Sequence, residues 1–463
     1  MLSRRTFLKQ TTAGALAATS GQLTPSAEDI GKGSAGRMSA AAHRSTARIK
    51  SVVHREETVR RFSGVGDNWH MSWAADDRQY VSLCDGYGFS GQTQFVYNCR
   101  MLAIEGRPQD ARFHDLSGYP QLAYYPSQKL ADARYYPFGT LALDGRLYQF
   151  MSTFNRGLIP EDIGAVGKNP SRNVGPLRFI GAKLIYSPDN GRTWRNQDGS
   201  TPVVWESWDR RSRDTMVFFE EPQEAFSLTT VLQMGRNYKL NRDGYVYVYG
   251  PNGNTDGTMN ELVMFRVPKK QILSRGEYEY FAGLQSSGGA RWDKDIGERK
   301  PVHSFPRGWV NTQLHPYAWH PSVVYYPPLR VYIMANWGMG TGPDGSWFAK
   351  PSYLGFWTAP NPWGPWTQIH EEATWMPAGE KEARAYEPQI APKWIAPDGR
   401  SFWLVWTDGQ MKGDKAEYDR MKAPIDKKSF DDFTPANWAL KYELFRRFNP
   451  YYSFNLQRVD LVF

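Results

Sequence analysis

The sequence repeats one unit five times, and this repeat limits the possible folds more than any other feature. Each copy has an approach rich in aromatic residues and proline, an alternating strand, a turn, and a second strand rich in Tyr, Val, Phe or Trp. The turns lie near residues 77, 144, 243, 328 and 398, about 80 residues apart on average. Three of them contain Asp-Gly, the strongest short signal for a β-hairpin.

Five hairpins at a long, loose spacing indicate radial blades rather than a solenoid of short repeats. We therefore predict an all-β fold, a five-bladed β-propeller, with outer strands at residues 182–186 and 261–267. A helical pattern is expected only near residues 415–421. An all-β sandwich, or two β domains, stays open as the alternative.

The first residues predict export. Residues 3–9, SRRTFLK, form a twin-arginine pattern, and a short apolar run follows at residues 13–18. We predict a twin-arginine signal peptide over residues 1–27, a flexible tether over residues 28–48 and a catalytic propeller domain over residues 49–463. The twin-arginine export machinery is thus an expected partner, and the expected location is periplasmic or secreted.

Composition narrows the expected partners. No segment after the leader approaches the roughly 18 consecutive apolar residues of a membrane span, so none is expected. Loss of the three leader cations lowers the formal net charge from +9 to about +6, which suits an anionic envelope or polymer. No Lys/Arg run or RNA-binding signature is present, so no nucleic-acid partner is expected. The 18 Trp and 26 Tyr suit sugar faces, which stack on aromatic rings.

The histidines and cysteines give no metal signature. The eight His show no HExxH motif and no paired Cys/His ligand spacing, so a zinc site is not expected, and no metal or cofactor is predicted. A calcium ion at the channel stays open, because its carbonyl and carboxylate ligands look like ordinary loops in sequence. Cys84 and Cys99 lie 15 residues apart in a compartment that permits disulfides. They either pair or remain two buried thiols.

Residues 187–194, SPDNGRTW, fit the S-x-D-x-G-x-x-W pattern of an Asp box. In this structural turn the Asp binds backbone amides and the Trp packs between strands. Asp189 is therefore not expected to be catalytic.

The opening hairpin carries a carboxylate at each open end. In a propeller, the start of the first strand and the end of the second meet at one mouth. Asp67 and Asp85 are each nine residues from Asp76, so a hairpin centred there places them opposite each other, with Cβ atoms about 4.5 to 5.5 Å apart. One carboxyl should then have a raised pKa, which suits an acid and base (or nucleophile) pair for glycoside hydrolysis. A one-residue slip in register, and a role in loop capping, both stay open.

Further candidates follow from the same geometry in the other blades. Glu387 and Asp408 are nearly symmetric about the turn at residues 397–398, and Glu387 is predicted to contact the substrate or the transition state. The predicted substrate-binding residues at the mouth are Tyr136, Asn237 and His320, flanked by Trp69 and Trp319.

Several segments together resemble one family: residues 67–85, FGTLALDGRLYQF at 138–150, GRNYKLNRDGYVYVYG at 235–250, FRVPKKQILSRGEYEYFAG at 265–283, and PWGPW at 362–366. The family was long known only as a domain of unknown function and is now associated with secreted endo-D-arabinanases. The resemblance implies a five-bladed propeller glycosidase whose paired aspartates are Asp67 and Asp85. It also implies hydrolysis of a polysaccharide such as D-arabinan, an α-linked D-arabinofuranose polymer.

The leading hypothesis is an exported glycoside hydrolase that uses Asp67 and Asp85, with Glu387 assisting. A polysaccharide lyase acting on uronic acids stays open, and Arg134 and His320 would matter more for that chemistry. A non-catalytic carbohydrate-binding propeller also stays open, because aromatic faces would suffice for it. The linkage, endo or exo action, and retention or inversion are not distinguished by the sequence.

Overall fold

Each of the five predicted turns joins the two innermost strands of a separate antiparallel sheet. The computed structural model describes residues 48–124, 134–154, 179–253, 260–305, 319–340, 348–428 and 432–463. Ala47–Phe463 form one compact unit. The predicted signal peptide and almost all of the predicted tether lie outside the described residues.

The strands follow one another blade by blade. The first strand is β1 (Ser51–Arg61). Blade 1 consists of β2 (Val65–Asp67), β3 (Met71–Trp73), β4 (Gln79–Gly88), β5 (Val96–Glu105), β6 (Arg112–Asp115) and β7 (Leu122–Tyr124). Blade 2 consists of β8 (Tyr136–Leu143), β9 (Arg146–Phe154), β10 (Phe179–Ser187), β11 (Arg195–Asn196) and β12 (Phe218–Phe219). Blade 3 consists of β13 (Thr230–Val231), β14 (Tyr245–Pro251), β15 (Glu261–Pro268), β16 (Glu279–Leu284), β17 (Ala290–Asp293) and β18 (His303–Ser304). Blade 4 consists of β19 (Ser322–Tyr326), β20 (Val331–Gly338), β21 (Tyr353–Ala359) and β22 (Thr367–Glu372). Blade 5 consists of β23 (Ala385–Ile390), β24 (Ser401–Asp408), β25 (Asn455–Val462) and β1.

The Asp-Gly turn of blade 2 shows why the sequence forms these hairpins. Leu143 and Arg146 are paired, so only two residues connect β8 to β9. Asp144 and Gly145 have φ angles of 49° and 75°. Positive φ at both central residues is the backbone that suits a tight hairpin, and Asp and Gly tolerate it. The predicted outer strands in blades 2 and 3 are also confirmed, as β10 and β15.

The inner strands of the blades surround one central channel. Its lining residues come from all five blades: His70, Met71, Phe138, Thr140, Thr230, Val231, Gln233, Ser322, Val323, Gln389 and Ile390. Hydrogen bonds connect every neighbouring pair of blades around the ring: Ala142 N to Ser72 Oγ, Gln233 Nε2 to Thr140 O, Gln233 N to Val323 O, Ile390 N to Ser322 Oγ, and Lys393 N to Gln79 Oε1. The five-bladed β-propeller is therefore confirmed, and the sandwich and two-domain alternatives are wrong.

The two ends of the described chain complete the same blade. Blade 5 has the strand order β1-β25-β24-β23, and β1 pairs antiparallel with β25 from Ser51 opposite Val462 to Arg61 opposite Asn455. The N-terminal strand is thus the outermost strand of the last blade. This pairing joins the beginning of the propeller to its end.

Two α-helices lie between β24 and β25: α1 (Lys415–Lys422), which confirms the predicted pattern, and α2 (Pro435–Phe448), which was not predicted. Thr434 caps α2 by accepting from Asn437 N, and Pro435 occupies the first turn. The helices pack beside blade 1, where Tyr87 donates to Trp438 O. Neither of these helices has the length and apolar character needed to cross a bilayer.

The Asp-box segment forms the predicted structural turn between β10 and β11. Asp189 accepts hydrogen bonds from the backbone and the hydroxyl of Thr193, and the Trp194 ring is buried. Cys84 and Cys99 are direct partners across β4 and β5, and both are buried free thiols.

Candidate active site

Asp67 and Asp85 lie at the open end of the first hairpin. Asp67 ends β2 and is paired with Cys84, so it lies one residue out of register with Asp85. The reason is a β-bulge, in which residues 85–87 of β4 oppose Gly66 alone. Asp85 begins the bulge with a φ of 42°, a backbone conformation that is unusual for a non-glycine residue. The sequence symmetry therefore placed both carboxyls at the same end, and the bulge sets their offset.

Glu387 reaches the same mouth from blade 5. Glu387 and Pro388 together oppose Trp406, which is a bulge near the start of β23. Glu387 has a φ of 52°, a strained backbone that costs on the order of 1–3 kcal/mol. Its charge interacts with those of Asp67 and Asp85. Three carboxyls from two neighbouring blades thus lie at one mouth. Two of them, Asp85 and Glu387, are positioned by backbone with positive φ.

Burial decides the protonation of two of these groups. Burial raises the pKa of Asp67 to about 8, and the negative charge of Asp85 contributes to the rise. The pKa of Glu387 is also well above its ordinary value, because the group is buried and lies near the charges of Asp67 and Asp85. Oε2 of Glu387 has no hydrogen-bond partner among the residues that the structure describes. Asp67 and Glu387 are thus set to hold protons at neutral pH, whereas Asp85 is only half-buried.

Two tyrosines hold Asp67 in place. Tyr386 and Tyr452 donate hydrogen bonds of 2.8 and 2.9 Å to Oδ2 of Asp67, and Tyr452 also donates to Asp85 O at 3.2 Å. These bonds favour the ionised carboxylate and partly oppose the effect of burial on its pKa. The sequence reasoning missed both residues. Tyr386 directly precedes Glu387, which was a usable signal, whereas Tyr452 lies in a connection without a motif.

Tyr136, Trp319 and His320 also lie at this end of the ring, as predicted for the mouth. The His320 ring lies 3.7 Å from that of Phe138 and 4.5 Å from that of Trp319, measured between centroids. The pKa of Tyr136 is well above its ordinary value because of burial and the nearby charge of Asp85. All three side chains are at least nine-tenths buried, so they form a packed aromatic wall beside the carboxyls.

Trp69 does not lie at the mouth, and its predicted role in sugar binding was wrong. The side chain is fully buried between blades 1 and 5, where its Nε1 donates to Thr407 Oγ1 at 2.8 Å and its ring packs edge-on against Phe454. Alternation along the strand places its ring in the interface between the blades instead of the mouth.

Asn237 also lies elsewhere, and its predicted position at the mouth was wrong. Residues 236–238 form a 3₁₀ turn rather than the start of a strand, with a φ of 56° at Asn237. The neighbouring Arg236 donates to Ala75 O in the turn of the first hairpin. Asn237 is thus at the turn end of the blades, opposite the carboxyls. The first strand of blade 3 is instead β13, several residues earlier.

The channel below the carboxyls is narrow. Its free volume between His70, Phe138 and Gln389 is about 10 Å³, room for about one water molecule. Burial lowers the pKa of His70 to about 3, so the imidazole there is neutral. The channel is therefore too narrow to admit a sugar ring.

No protein-family profile and no curated protein matches the sequence. Among solved structures, the chain is similar to a putative hydrolase from Bacteroides ovatus ATCC 8483, with 12% identity and a TM-score of 0.44 over 86% of this chain and 87% of that one. It is also similar to the catalytic domain of the Coprinopsis cinerea GH62 α-L-arabinofuranosidase, with 9% identity and a TM-score of 0.36 over 91% and 94% of the two chains. The α-L-arabinofuranosidase from Lactobacillus brevis gives 12% identity and a TM-score of 0.38 over 78% and 90%. The sheet topology alone defines the fold of this chain.

Proposed function

We propose that the protein is a glycoside hydrolase. The observation that carries this proposal is a buried carboxyl with a pKa of about 8, Asp67, beside a second carboxyl of the same hairpin, Asp85, at the mouth of the propeller. Hydrolysis of a glycosidic bond needs one carboxylic acid that is protonated and one carboxylate that is ionised. Asp67 is buried and holds its proton, and Asp85 is half-buried beside it.

The hydrogen bonds suggest how the roles are divided. Both tyrosine hydroxyls donate to Oδ2 of Asp67, so the proton of the neutral carboxyl belongs on Oδ1. Asp67 then acts as general acid and gives this proton to the glycosidic oxygen as the bond to the anomeric carbon breaks. Asp85 takes a proton from the attacking water, or attacks the anomeric carbon itself. Neutral Glu387 donates a hydrogen bond to the substrate.

Polysaccharide is the proposed substrate class, and D-arabinan is the proposed member of it, with endo action on α-D-arabinofuranose linkages. The support for D-arabinan is the resemblance of the segment from Asp67 to Asp85 and of four other segments to the endo-D-arabinanase family. The basic net charge is compatible with an anionic polymer of the cell envelope.

The two alternative functions have less support. A lyase needs a Tyr or His base, but burial raises the pKa of Tyr136 and of Tyr386, so that neither phenol is ready to accept a proton. A purely carbohydrate-binding propeller gives no reason to bury two carboxyls beside a third charge, since that arrangement destabilises the fold.

The test is release of reducing ends from a panel of polysaccharides that includes D-arabinan. Asp67→Asn and Asp85→Asn should each lower the rate by about 10² to 10⁴. The matched control is Asp77→Asn, because Asp77 belongs to the same hairpin but is half-exposed at its turn, where it pairs with Lys393. Full activity in both variants would contradict the proposed catalytic role of Asp67 and Asp85. Activity only on other glycans would support glycoside hydrolase activity and contradict D-arabinan as the substrate.

We also propose export through the twin-arginine machinery, supported by residues 3–9. Replacement of Arg4 and Arg5 by Lys should leave the protein in the cytoplasmic fraction. An unchanged distribution between fractions would contradict this proposal.

A further inference from the structure

Three side chains with metal-ligating atoms converge on the outer rim, between blades 4 and 5. His370 and Glu372 are two residues apart on β22, so they project from the same face of the strand. His54 comes from β1, which contacts β22 across the boundary between the blades. One ligand atom from each side chain lies within 4.8 Å of the other two, and no other such group of three occurs among the described residues.

Both imidazoles direct Nε2 at the same carboxylate oxygen. Oε1 of Glu372 lies 3.0 Å from Nε2 of His54 and 3.5 Å from Nε2 of His370. Nε2 of His54 is buried. The His54 side chain is 8% exposed, whereas His370 and Glu372 are 24% and 27% exposed. The cluster is thus backed by protein on one side and open to solvent on the other.

The other ring nitrogens are held by polar partners. Nδ1 of His54 lies 3.0 Å from Oε1 of Gln457, and Nδ1 of His370 lies 3.1 Å from Oγ of Ser51. An amide oxygen only accepts, so Nδ1 of His54 carries a hydrogen, and Nε2 is the nitrogen directed at the cluster. Metal-binding histidines are oriented in this way, by a hydrogen bond from the nitrogen that does not bind the ion.

We propose that His54, His370 and Glu372 bind one divalent transition metal ion of the zinc class. Two imidazole nitrogens and one carboxylate are a zinc ligand set, and the solvent-exposed side leaves a fourth position for water. The oxygen-preferring ions Ca²⁺ and Mg²⁺ do not suit a site with two nitrogen ligands.

The position of this site indicates a structural role. β1 and β22 are outermost strands, whereas the carboxyls of the mouth belong to the innermost strands. A bound ion would fasten β1, the strand that completes blade 5, to blade 4. It therefore stabilises the closure of the ring and takes no part in the chemistry at Asp67.

The sequence could not have identified this site. His54 and His370 are 316 residues apart in the chain, and the spacing of His370 and Glu372 alone is common in strands. The expectation of no metal followed from the absence of a local motif, and a site between blades has none.

The experiment is isothermal titration calorimetry. The full chain is first made metal-free with EDTA and is then titrated with ZnCl₂. We expect one Zn²⁺ per chain, a rise in melting temperature that EDTA reverses, and no comparable heat or shift with CaCl₂. Titration with CoCl₂ should add the visible absorption bands of a Co²⁺ ion with nitrogen ligands.

Glu372→Gln and His370→Gln should each weaken zinc binding by at least about 10-fold to 100-fold. His114→Gln is the matched control, because His114 is paired with Glu105 at 3.4 Å without a second histidine. Circular dichroism of the metal-free variants reports whether they fold. If Glu372→Gln does not fold, zinc binding by His370→Gln provides the test. No binding at 1:1 stoichiometry, or equal binding in the wild type and the ligand variants, overturns the proposal and leaves the cluster as an ion-paired triad.

Discussion

The hydroxyl of Tyr386 in blade 5 donates a 2.8 Å hydrogen bond to Oδ2 of Asp67 in blade 1. This bond crosses the interface between the last blade and the first. The position and the proton affinity of Asp67 therefore depend on closure of the propeller. Tyr452 adds a second donor from the connection that enters β25.

Tyr386→Phe should move the alkaline limb of the pH–activity profile to higher pH. The hydroxyl stabilises the ionised form of Asp67, so its removal raises the pKa of that carboxyl above about 8. A proposed general acid then stays protonated to higher pH. The measurement is kcat/KM from pH 5 to 10.

Tyr247→Phe is the control for this shift, because Tyr247 donates to the carboxylate of Asp243 at 2.6 Å in the turn of blade 3. It removes the same kind of bond far from the mouth and should leave the profile unchanged. A Tyr386→Phe profile that matches the wild type would contradict the coupling to Asp67.

Asp67→Asn should flatten the dependence of stability on pH. The folded protein keeps the Asp67 proton up to about pH 8, whereas the unfolded chain releases it near pH 4. The folded state thus binds more protons in this window, and its stability falls as pH rises, by at most about 1.4 kcal/mol per pH unit. Urea unfolding at pH 4.5, 6.0 and 7.5 measures the slope. Parallel curves for the wild type and Asp67→Asn would show that Asp67 is not buried as a neutral acid.

Gly86→Ala should disturb the bulge that positions Asp85. A Cβ at residue 86 would lie 2.1 Å from Val65 O and 2.4 Å from Gly66 Cα, which are backbone atoms. The backbone of β4 must therefore move, and we expect both a lower melting temperature and a lower kcat. Gly276→Ala is the control, since a Cβ there meets nothing within 4 Å. Equal behaviour of the two variants in melting and turnover would contradict this account of the bulge.

Trp69→Phe should lower stability and leave KM unchanged. The fully buried indole packs between blades, and its Nε1 donates to Thr407, so the smaller ring loses contacts and a hydrogen bond worth about 2 kcal/mol together. Urea unfolding and steady-state kinetics separate these effects. A raised KM without loss of stability would restore the sugar-binding role first predicted for Trp69.

The sequence predicted the hairpins well because a turn such as Asp144-Gly145 has a local cause. Positive φ at two adjacent residues is encoded by those two residues alone. The meeting of Asp67 and Asp85 followed from counting outward from such a turn. Counting residues could not predict their one-residue offset, because the offset depends on the bulge of residues 85–87 opposite Gly66.

The errors at Trp69 and Tyr452 concern contacts between distant segments. The hairpin that contains Trp69 was predicted correctly, which suggested a ring that stacks on sugar. The ring instead faces the neighbouring blade, where it contacts Thr407 and Phe454. Tyr452 lies 385 residues from Asp67 and no motif surrounds it. Helix α2 had a local signal, the Thr-Pro start at its cap, and was missed because the β pattern dominated the chain.

The most direct measurement is proton NMR of D-arabinan incubated with the purified protein, with Asp67→Asn and Asp85→Asn in parallel. We expect new reducing-end anomeric signals with the wild type and little or none with either variant. A single anomer should appear first, and its identity reveals retention or inversion. Signals that grow at the same rate in all three samples would contradict the central claim that these two carboxyls cleave the glycosidic bond.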